Sequence, residues 1–368
     1  MGDRANRAVQ CGITGFRARL CWIAAILLLV VASNANATTH AQHPQRGQSL
    51  TQTLAAMQQL EGGFYNKQAG LYSALEVKPK QVASLWPTSQ VLSAAIHVAR
   101  LTGQQADRQR VRRIIDSLRN YLGPLGVFHA LTVPSHTYYD DNNWIALDLL
   151  DAYDLLHDPA YLALVKRIFA FEVTGWDTKN GGGIRWAVGH TDRPTVATAP
   201  VIIIGMRLAA ITHQSYYQDW AARCYTWENT HLRGPDGLYL DHLILGAGID
   251  RRFFSYNQGL MIEANLAYAA RTGNKYYLDQ ARQIATLTAK LHPGPWHPRA
   301  MVAVFDAIYY EALEHLNQVS AGAASMNVAQ EYLQWAWPVA RAPRQGQDED
   351  EIFEQAAFVI SSAVVSSH

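Results

Sequence analysis

Two adjacent aspartates, Asp140 and Asp141, carry the clearest potential for chemistry in this chain. They lie within the run Tyr138-Tyr139-Asp140-Asp141-Asn142-Asn143-Trp144, where an apolar helical pattern begins. Repulsion between neighbouring carboxylates and partial desolvation push the two pKa values apart. A glycosidase needs such opposed states, because one acid protonates a leaving oxygen while a carboxylate attacks carbon. The pair is therefore the candidate catalytic site.

Other roles for this pair stay open from the residues alone. An aspartate at the start of a helix can serve as its N-cap. Asp140, Asp141 and Asn142 also offer oxygens to a hard cation, although the spaced ligands and the glycine turn of a calcium loop are missing. Two acids beside two amides exceed what capping requires. We expect neither a metal nor a cofactor.

The N-terminal segment has the pattern of a secretory signal peptide. Basic residues precede an apolar run over 20–32, which is followed by the small-x-small sequence Ala35-Asn36-Ala37. The run is short for a membrane span, although an uncleaved signal anchor stays open. We predict a signal peptide over 1–37, a short linker over 38–48, and a secreted or periplasmic protein that does not associate with the membrane once the signal is removed.

Charge and cysteine content exclude several classes of partner and chemistry. The chain is formally +1, and removal of the four Arg and one Asp in residues 1–37 leaves −2. Without a Lys/Arg-rich run, neither nucleic acid nor an anionic membrane is an expected partner. Only Cys224 lies beyond the predicted signal, and a lone cysteine closes no intramolecular disulfide. Stability must come from packing, and we expect a monomer.

A weak repeat organises the remaining chain. Similar helix-ending sequences occur at Thr102, His157, Thr212 and Thr272, which are 55, 55 and 60 residues apart. Each unit predicts a helix, a tight turn, a second helix and a longer loop, and the apolar run 201–211 is too long for an ordinary strand. Repeated helical hairpins form open solenoids or closed rings. Long polar and aromatic loops favour a ring with one functional face, completed by a last helix over 352–359.

Four more loops combine polar and aromatic residues, over 84–90, 176–186, 236–242 and 253–259. The triple glycine at 181–183 permits close approach of backbone to a ligand, or is a plain flexible turn. The sequence has no GxSxG elbow, no HExxH and no phosphate loop.

Taken together, these loops resemble glycoside hydrolase family 76, the endo-α-1,6-mannanases and related enzymes. The matching pieces follow the family's order and are Leu85-Trp86-Pro87-Thr88-Ser89-Gln90, Tyr139-Asp140-Asp141-Asn142-Asn143-Trp144-Ile145, Gly182-Gly183-Ile184-Arg185-Trp186, Pro235-Asp236-Gly237-Leu238-Tyr239-Leu240-Asp241-His242 and Ser255-Tyr256-Asn257-Gln258-Gly259. The resemblance implies an all-α fold, a single (α/α)6 barrel over 49–368 including the C-terminal helix. It further implies α-mannan as substrate and a retaining mechanism, with Asp140 as nucleophile and Asp141 as general acid/base.

The same resemblance implies a set of substrate-binding positions. They are Trp86, Asn142, Trp144, Gly182, Gly183, Arg185, Trp186, Asp241, Tyr256, Asn257 and Gln258. Asp241 either accepts hydrogen bonds from sugar hydroxyls, or caps a helix or pairs with His242. The family more often has an aromatic at Arg185 and a bulky residue or alanine at Asn143, so Arg185 is a candidate anion contact.

Related ring-shaped enzymes give alternative functions. A transglycosylase would share the site. An unsaturated uronyl hydrolase needs a cation for the uronate carboxylate, which Arg185 could supply. A sugar epimerase needs paired histidines, for which His190 and His242 are the loop candidates. A non-catalytic glycan-binding envelope protein needs only the aromatics, and none of the last three explains adjacent aspartates.

Overall fold

The computed structural model describes residues 44–75, 81–178, 181–291, 300–340 and 350–367. The predicted signal peptide and the first part of the predicted linker lie outside these ranges. Twelve α-helices account for most of the described chain: α1 Pro44–Phe64, α2 Leu85–Thr102, α3 Gln105–Ser117, α4 Tyr139–Leu156, α5 Pro159–Glu172, α6 Thr195–Thr212, α7 Ser215–His231, α8 Ser255–Thr272, α9 Lys275–Leu291, α10 Ala300–Val319, α11 Asn327–Ala340 and α12 Asp350–Ser366.

The twelve helices form two concentric rings. Each even-numbered helix packs against the next even-numbered helix, and α12 packs against α2, which closes the inner ring. The odd-numbered helices lie outside, each against an inner helix, with α1 on α12. The predicted all-α barrel of helical hairpins is thereby confirmed. The predicted last helix is longer than expected, over Asp350–Ser366, and is a member of the inner ring.

The repeat in the sequence corresponds to the turns that end inner helices. Gly103, His157, His213 and Gly273 each adopt a left-handed conformation and donate their N–H to a carbonyl four residues earlier. At two of these turns the residue is histidine, with φ of 55° and 59°. Such C-terminal caps satisfy carbonyls that the helix leaves open. The similar spacing of the turns therefore reflects hairpins of similar length.

Helix α6 confirms the prediction of a buried helix over the apolar run. Within the described ranges it is the one helix long and apolar enough to cross a membrane, and 78% of that stretch is buried inside the protein. It forms part of the inner ring, so its apolar surface contacts other helices. At the other end of the chain, α1 begins at Pro44 and includes residues 44–48, which we had assigned to the linker.

Short strands and 3₁₀ turns join the helices. Strands β1 (Tyr65–Asn66) and β2 (Leu71–Tyr72) pair antiparallel, and 3₁₀ turns follow α3 at Leu118–Tyr121 and α5 at Val173–Gly175. A second sheet has the order β3 (Arg193–Pro194), β4 (His242–Ile244) and β5 (Gly248–Asp250). Pro194 lies opposite His242, so this sheet joins the start of α6 to the loop that contains Asp241.

Ion pairs connect the inner helices near their C-terminal halves. Arg207 of α6 lies 2.8 Å and Arg100 of α2 lies 3.2 Å from the Asp151 carboxylate of α4. His315 of α10 lies 2.7 Å from Glu263 of α8, and a further pair joins α2 to α10. These contacts join five of the inner helices to one another at the end of the ring opposite to the starts of those helices.

Candidate active site

A cleft of about 420 Å³ opens where the inner helices begin. Six of the predicted site residues line it, namely Trp86, Asp140, Trp144, Trp186, Asp241 and Tyr256. Seven more lining residues were absent from the predicted set: Asp192, Pro194, Val196, His242, Arg252, Phe254 and Phe305. Among these seven, the sequence motifs indicate only His242, as a partner of Asp241 and as a candidate histidine of an epimerase. Phe254 belongs to a loop already noted for its aromatics, whereas no local motif marks Asp192 or Phe305.

Helix α4 begins immediately before the aspartate pair. Tyr138 is the N-cap, and both acids belong to the first turn. Neither aspartate is therefore the N-cap residue, which removes the simple capping alternative. The N-terminus of a helix carries exposed N–H groups and a positive partial charge, which stabilise a nearby anion. The helix thus places the pair where one negative charge is favoured.

The two acids have different surroundings. Nε1–H of Trp186 donates to Oδ2 of Asp140 at 3.0 Å. Burial raises the pKa of Asp140, and the Trp186 bond and nearby backbone N–H groups oppose that rise. Burial and the charge of Asp140 raise the pKa of Asp141 further, with no opposing donor. Asp140 is therefore the carboxyl that ionises first, and Asp141 is the one that keeps its proton.

Asp141 differs from its neighbour in exposure to the cleft. Its side chain is half-buried beside Asp140, and it is not one of the described side chains that line the cleft. Asp140 contributes directly to the cleft wall. A substrate in the cleft would therefore meet Asp140 first, with Asp141 next to it along the first turn of α4.

The loop that ends at Trp186 is fixed to the start of α4. The carbonyl of Trp186 accepts the N–H of Tyr139 at 2.9 Å, and its N–H donates to the carbonyl of Asp192 at 3.0 Å. Its ring contacts that of Tyr138, with 5.0 Å between centroids. Trp186 therefore lines the cleft, as predicted, and also orients the Asp140 carboxylate.

Asp241 also lines the cleft, and three neighbours hold its carboxylate. Nδ1 of His242 is 2.8 Å from Oδ2, Arg252 is 3.4 Å from Oδ2, and Nδ2 of Asn257 is 3.5 Å from Oδ1. The side chain is only 6% exposed yet lines the cleft. Asp241 therefore pairs with His242, as one of the two expectations has it, and at the same time lines the cleft. Asn257 is fully buried and supports Asp241 from behind.

One group of three potential metal ligands occurs within the described ranges. The nearest ligand atoms of Asp241, His242 and Asp250 lie within 4.8 Å of one another. Arg252 is 2.9 Å from Asp250 and also contacts Asp241, so a protein cation already balances these acids. We assign the group to holding Asp241 in place.

Aromatic side chains form the walls of the cleft. Tyr256 stacks on Phe305 at 4.1 Å between ring centroids, and Trp86 lies 4.5 Å from Phe353. Arg252 sits 5.4 Å from the centre of the Phe254 ring. Rings held in this way present fixed apolar faces, which suit the apolar faces of sugar rings.

Two side-chain amides that we predicted to bind substrate are buried away from the cleft. Asn142 is fully buried, and its side chain exchanges two hydrogen bonds of 2.9 Å with the backbone of Phe128. Gln258 does the same with Tyr239, at 2.9 and 2.7 Å. Both are the fourth residue of an inner helix, as is Thr198, whose hydroxyl accepts the N–H of Ile184 at 3.1 Å. The amides therefore fasten loops to the ring and do not reach the cleft.

The glycine loop also differs from expectation. A Cβ on Gly182 would lie 2.4 Å from the Trp176 ring, and one on Gly183 would lie 2.4 Å from the Trp227 ring. Glycine is thus required for packing against tryptophan and not for contact with a ligand in the cleft. Arg185 donates to the carbonyl of Thr174 at 3.1 Å and does not line the cleft, which removes the basis for a uronate contact there.

The sequence profile named "Glycosyl hydrolase family 76" matches residues 49–294. The chain belongs to this family. The resemblance found in the motifs is thereby confirmed, and it extends over the aspartate pair, the Trp186 loop and the Asp241 loop. The family accounts for the ring of hairpins.

Named relatives are yeast proteins. The chain is 30% identical over 128 residues to the mannan endo-1,6-α-mannosidase DCW1 of Candida glabrata, covering 32% of this chain and 29% of that protein. It is 25% identical over 170 residues to the DCW1 protein of Saccharomyces cerevisiae, covering 42% and 35%. The matched stretch thus spans about a third of the length of these curated relatives.

Solved structures share the fold across the barrel. A family 76 mannosidase from Bacteroides thetaiotaomicron superposes with a TM-score of 0.77 at 20% identity, covering 87% of this chain and 98% of that one. An inactive variant of an α-1,6-mannanase from Salegentibacter, with two consecutive aspartates replaced by alanine and bound to α-1,6-mannotetrose, has a TM-score of 0.73 at 17% identity, covering 86% and 99%.

Proposed function

We propose that this protein is an exported retaining glycoside hydrolase that cleaves α-1,6-linked mannan. The observation that carries the proposal is the pair Asp140 and Asp141 in the first turn of α4, with Asp140 facing an aromatic cleft and bonded to Trp186. Further support comes from the relatives, whose names specify mannan endo-1,6-α-mannosidase activity. In the Salegentibacter mannanase, the variant that lacks two consecutive aspartates is inactive.

In the proposed reaction, the Asp140 carboxylate attacks the anomeric carbon and forms a glycosyl-enzyme ester. The proton on Asp141 passes to the departing glycosidic oxygen, so that the leaving sugar departs as an alcohol. Asp141 then takes a proton from water, which attacks the anomeric carbon, breaks its bond to the Asp140 oxygen and frees the Asp140 carboxylate. Retaining enzymes hold their two carboxyls roughly 5–5.5 Å apart, and consecutive residues in one helical turn are near neighbours.

The difference in surroundings supports this division of roles. Asp140 has the indole donor and the helix N-terminus, both of which favour its anion. Asp141 has burial and the adjacent charge, both of which favour its neutral form. Catalysis by this mechanism requires one acid in each state at the same pH. In the proposed reaction, Asp241 accepts hydrogen bonds from sugar hydroxyls, and its place in the cleft lining supports this role.

The test is activity on α-1,6-mannan with purified wild type, Asp140→Asn and Asp141→Asn. We expect product with retained anomeric configuration from the wild type, followed by proton NMR, and a loss of at least about a thousandfold in both variants. Asp236→Asn is the matched control, because that carboxylate accepts the N–H of Leu238 in a turn outside the cleft. An Asp140→Asn protein with undiminished activity would refute the mechanism.

The same material separates the alternatives. Unsaturated uronides test the alternative of an unsaturated uronyl hydrolase, and N-acylated amino sugars test that of a sugar epimerase. Activity on those substrates alone would contradict a mannanase. Release of reducing ends measures hydrolysis, whereas longer chains formed with an added acceptor oligosaccharide show transglycosylation. Mannan binding without either product would leave a binding protein.

Export rests on the order of basic residues, apolar run and Ala35-Asn36-Ala37. We expect the protein outside the cytoplasm with a new N-terminus after Ala37. N-terminal sequencing of the protein recovered from the periplasm or medium decides it, and an intact N-terminus in the membrane fraction would indicate an uncleaved anchor.

A further inference from the structure

Glu228 is a buried acid that the proposed mechanism does not use. It lies near the end of α7 and is 0% exposed. Its Oε2 is 3.3 Å from the hydroxyl oxygen of Thr195, the first residue of α6. Its Oε1 has no hydrogen-bond partner in the part of the chain that the structure describes. The side chain therefore points at the start of α6, behind the wall of the cleft.

Thr195 joins the start of α6 to the loop that contains Asp241. Its hydroxyl oxygen lies 2.8 Å from the carbonyl of Leu240, and its N–H donates to the carbonyl of Asp241 at 2.8 Å. The neighbours of Thr195, Pro194 and Val196, line the cleft together with Asp241. Thr195 thus fixes the backbone on both sides of the Asp241 side chain.

The number of hydrogen atoms shared by Glu228, Thr195 and Leu240 decides whether the Glu228 carboxyl is protonated. A hydroxyl carries one hydrogen, and a carbonyl can only accept. The hydrogen of Thr195 is committed to Leu240 by the shorter contact. Toward Glu228 the hydroxyl oxygen can then only accept, so the carboxyl must bring its own proton. An ionised Glu228 would face an acceptor and bury an uncompensated charge.

We propose that Glu228 is a positioning residue, which in its protonated form donates to Thr195 and so holds Asp241 in the cleft. The bonds run from the Glu228 O–H to the Thr195 hydroxyl and from there to the Leu240 carbonyl. Asp241 is the next residue. The inference rests on the proposed function, in which Asp241 binds the sugar.

The surroundings of Glu228 favour the neutral acid. Burial raises the pKa of Glu228 to about 8. Its titratable neighbours are Cys224 on the same helix and Tyr239 in the next loop, and Glu172 at the end of α5 also acts on Cys224. Burial raises the pKa of all three, so the thiol and the phenol are neutral near pH 7 and the neutral form of the Glu172 carboxyl is favoured. Two cations act on these neighbours, since Arg233 packs over the Tyr239 ring and Arg223 acts on Cys224.

The kinetic test compares four variants at pH 6, where Glu228 is protonated. Glu228→Gln and Thr195→Ser keep a donor and a hydroxyl, and we expect kcat/KM on α-1,6-mannan within about threefold of wild type. Glu228→Ala and Thr195→Val interrupt the series of hydrogen bonds from Glu228 to Leu240, and we expect kcat/KM to fall by at least about tenfold. Thr212→Val is the control, because that hydroxyl bonds to Leu208 at the other end of the same helix.

A melting series tests the proton itself. The pKa of Glu228 is higher in the folded protein than the value of about 4.3 in an unfolded chain. Ionisation of the unfolded chain therefore removes stability as pH rises from about 4.5 to 8, and the loss is constant above that. Gln does not titrate. We expect the melting temperature of Glu228→Gln to rise relative to that of the wild type as the pH increases from about 4.5 to 8.

Two results would overturn the inference. If Glu228→Gln is as impaired as Glu228→Ala with its melting temperature unchanged, Glu228 acts as an anion. If all four variants keep their activity and only melting temperatures fall, the contact is structural and does not position Asp241. A wild type without mannanase activity would remove the proposed function instead. The melting series would then still test whether Glu228 is protonated. A difference in melting temperature between Glu228→Gln and the wild type that does not change with pH would contradict a protonated Glu228.

Discussion

The indole N–H of Trp186 donates to Oδ2 of Asp140 at 3.0 Å, so a residue of the 181–186 loop orients an acid of helix α4. The same tryptophan accepts the backbone N–H of Tyr139, the residue before Asp140. Loop and helix start are therefore fixed to each other at two points. Because one of these points is the carboxylate itself, a change in the loop acts directly on the proposed nucleophile.

Replacing Trp186 by Phe tests this bond. The variant keeps an aromatic wall but loses the donor that opposes the rise in the pKa of Asp140. Because a higher pKa delays ionisation, we expect the acid limb of kcat/KM to move to higher pH and kcat to fall about tenfold or more. KM should change less. An unshifted acid limb with a raised KM would mean that Trp186 only binds sugar.

Removing the carboxylate of Asp241 tests its role in substrate binding. We expect Asp241→Ala to lower kcat/KM by more than about tenfold, or about 1.4 kcal/mol, without unfolding the protein. Asp250→Ala is the matched control, since it removes a neighbouring acid from the same Arg252 contacts but lies outside the described cleft lining. Unchanged kinetics with a lower melting temperature would make Asp241 structural.

The loop glycines provide a matched pair of substitutions. Gly181 and Gly183 have φ of 84° and 82°, so alanine meets the same backbone strain at both. Only at Gly183 would the new Cβ lie 2.4 Å from the Trp227 ring, while no described atom lies within 4 Å at Gly181. We expect Gly183→Ala to lose about 1–3 kcal/mol more than Gly181→Ala in chemical denaturation. Equal losses would show that Trp227 moves aside freely.

The ion pair between α8 and α10 should make stability depend on pH. Burial lowers the pKa of His315, but the charge and hydrogen bond of Glu263, with two further glutamates, raise it to about 10. Because this value exceeds the unfolded value of about 6.5, the stabilisation is complete below pH 6.5 and is lost as pH rises through about 10.

We therefore expect His315→Gln to lower the free energy of unfolding by about 2 kcal/mol at pH 6 and by much less above pH 10. Urea denaturation at both pH values measures the difference. His136→Gln is a surface control on an exposed loop. A deficit of the same size at both pH values would show that packing and not charge stabilises this contact.

The sequence by itself determined the repeated helical hairpins and the position of the chemistry along the chain. Similar spacing of helix ends specifies similar hairpins, because helix length and turn geometry are local properties. Asp140 and Asp141 are neighbours by covalent bonding, so no folding was needed to bring them together. For the same reason the motif at 138–144 was sufficient to indicate paired acids at a helix start.

Only the tertiary structure decided which residues of each motif face the cleft. Successive residues of a helix point about 100° apart, and packing in the ring sets where that rotation begins. Asp140 and Tyr256 consequently face the cleft while Asn142 and Gln258, each two residues later, bond to loops. Asp192 and Phe305 enter from distant segments without a motif. The protonated state inferred for Glu228 depends on Thr195 giving its one hydroxyl hydrogen to Leu240, and that contact exists only once α6, α7 and the Asp241 loop have packed together.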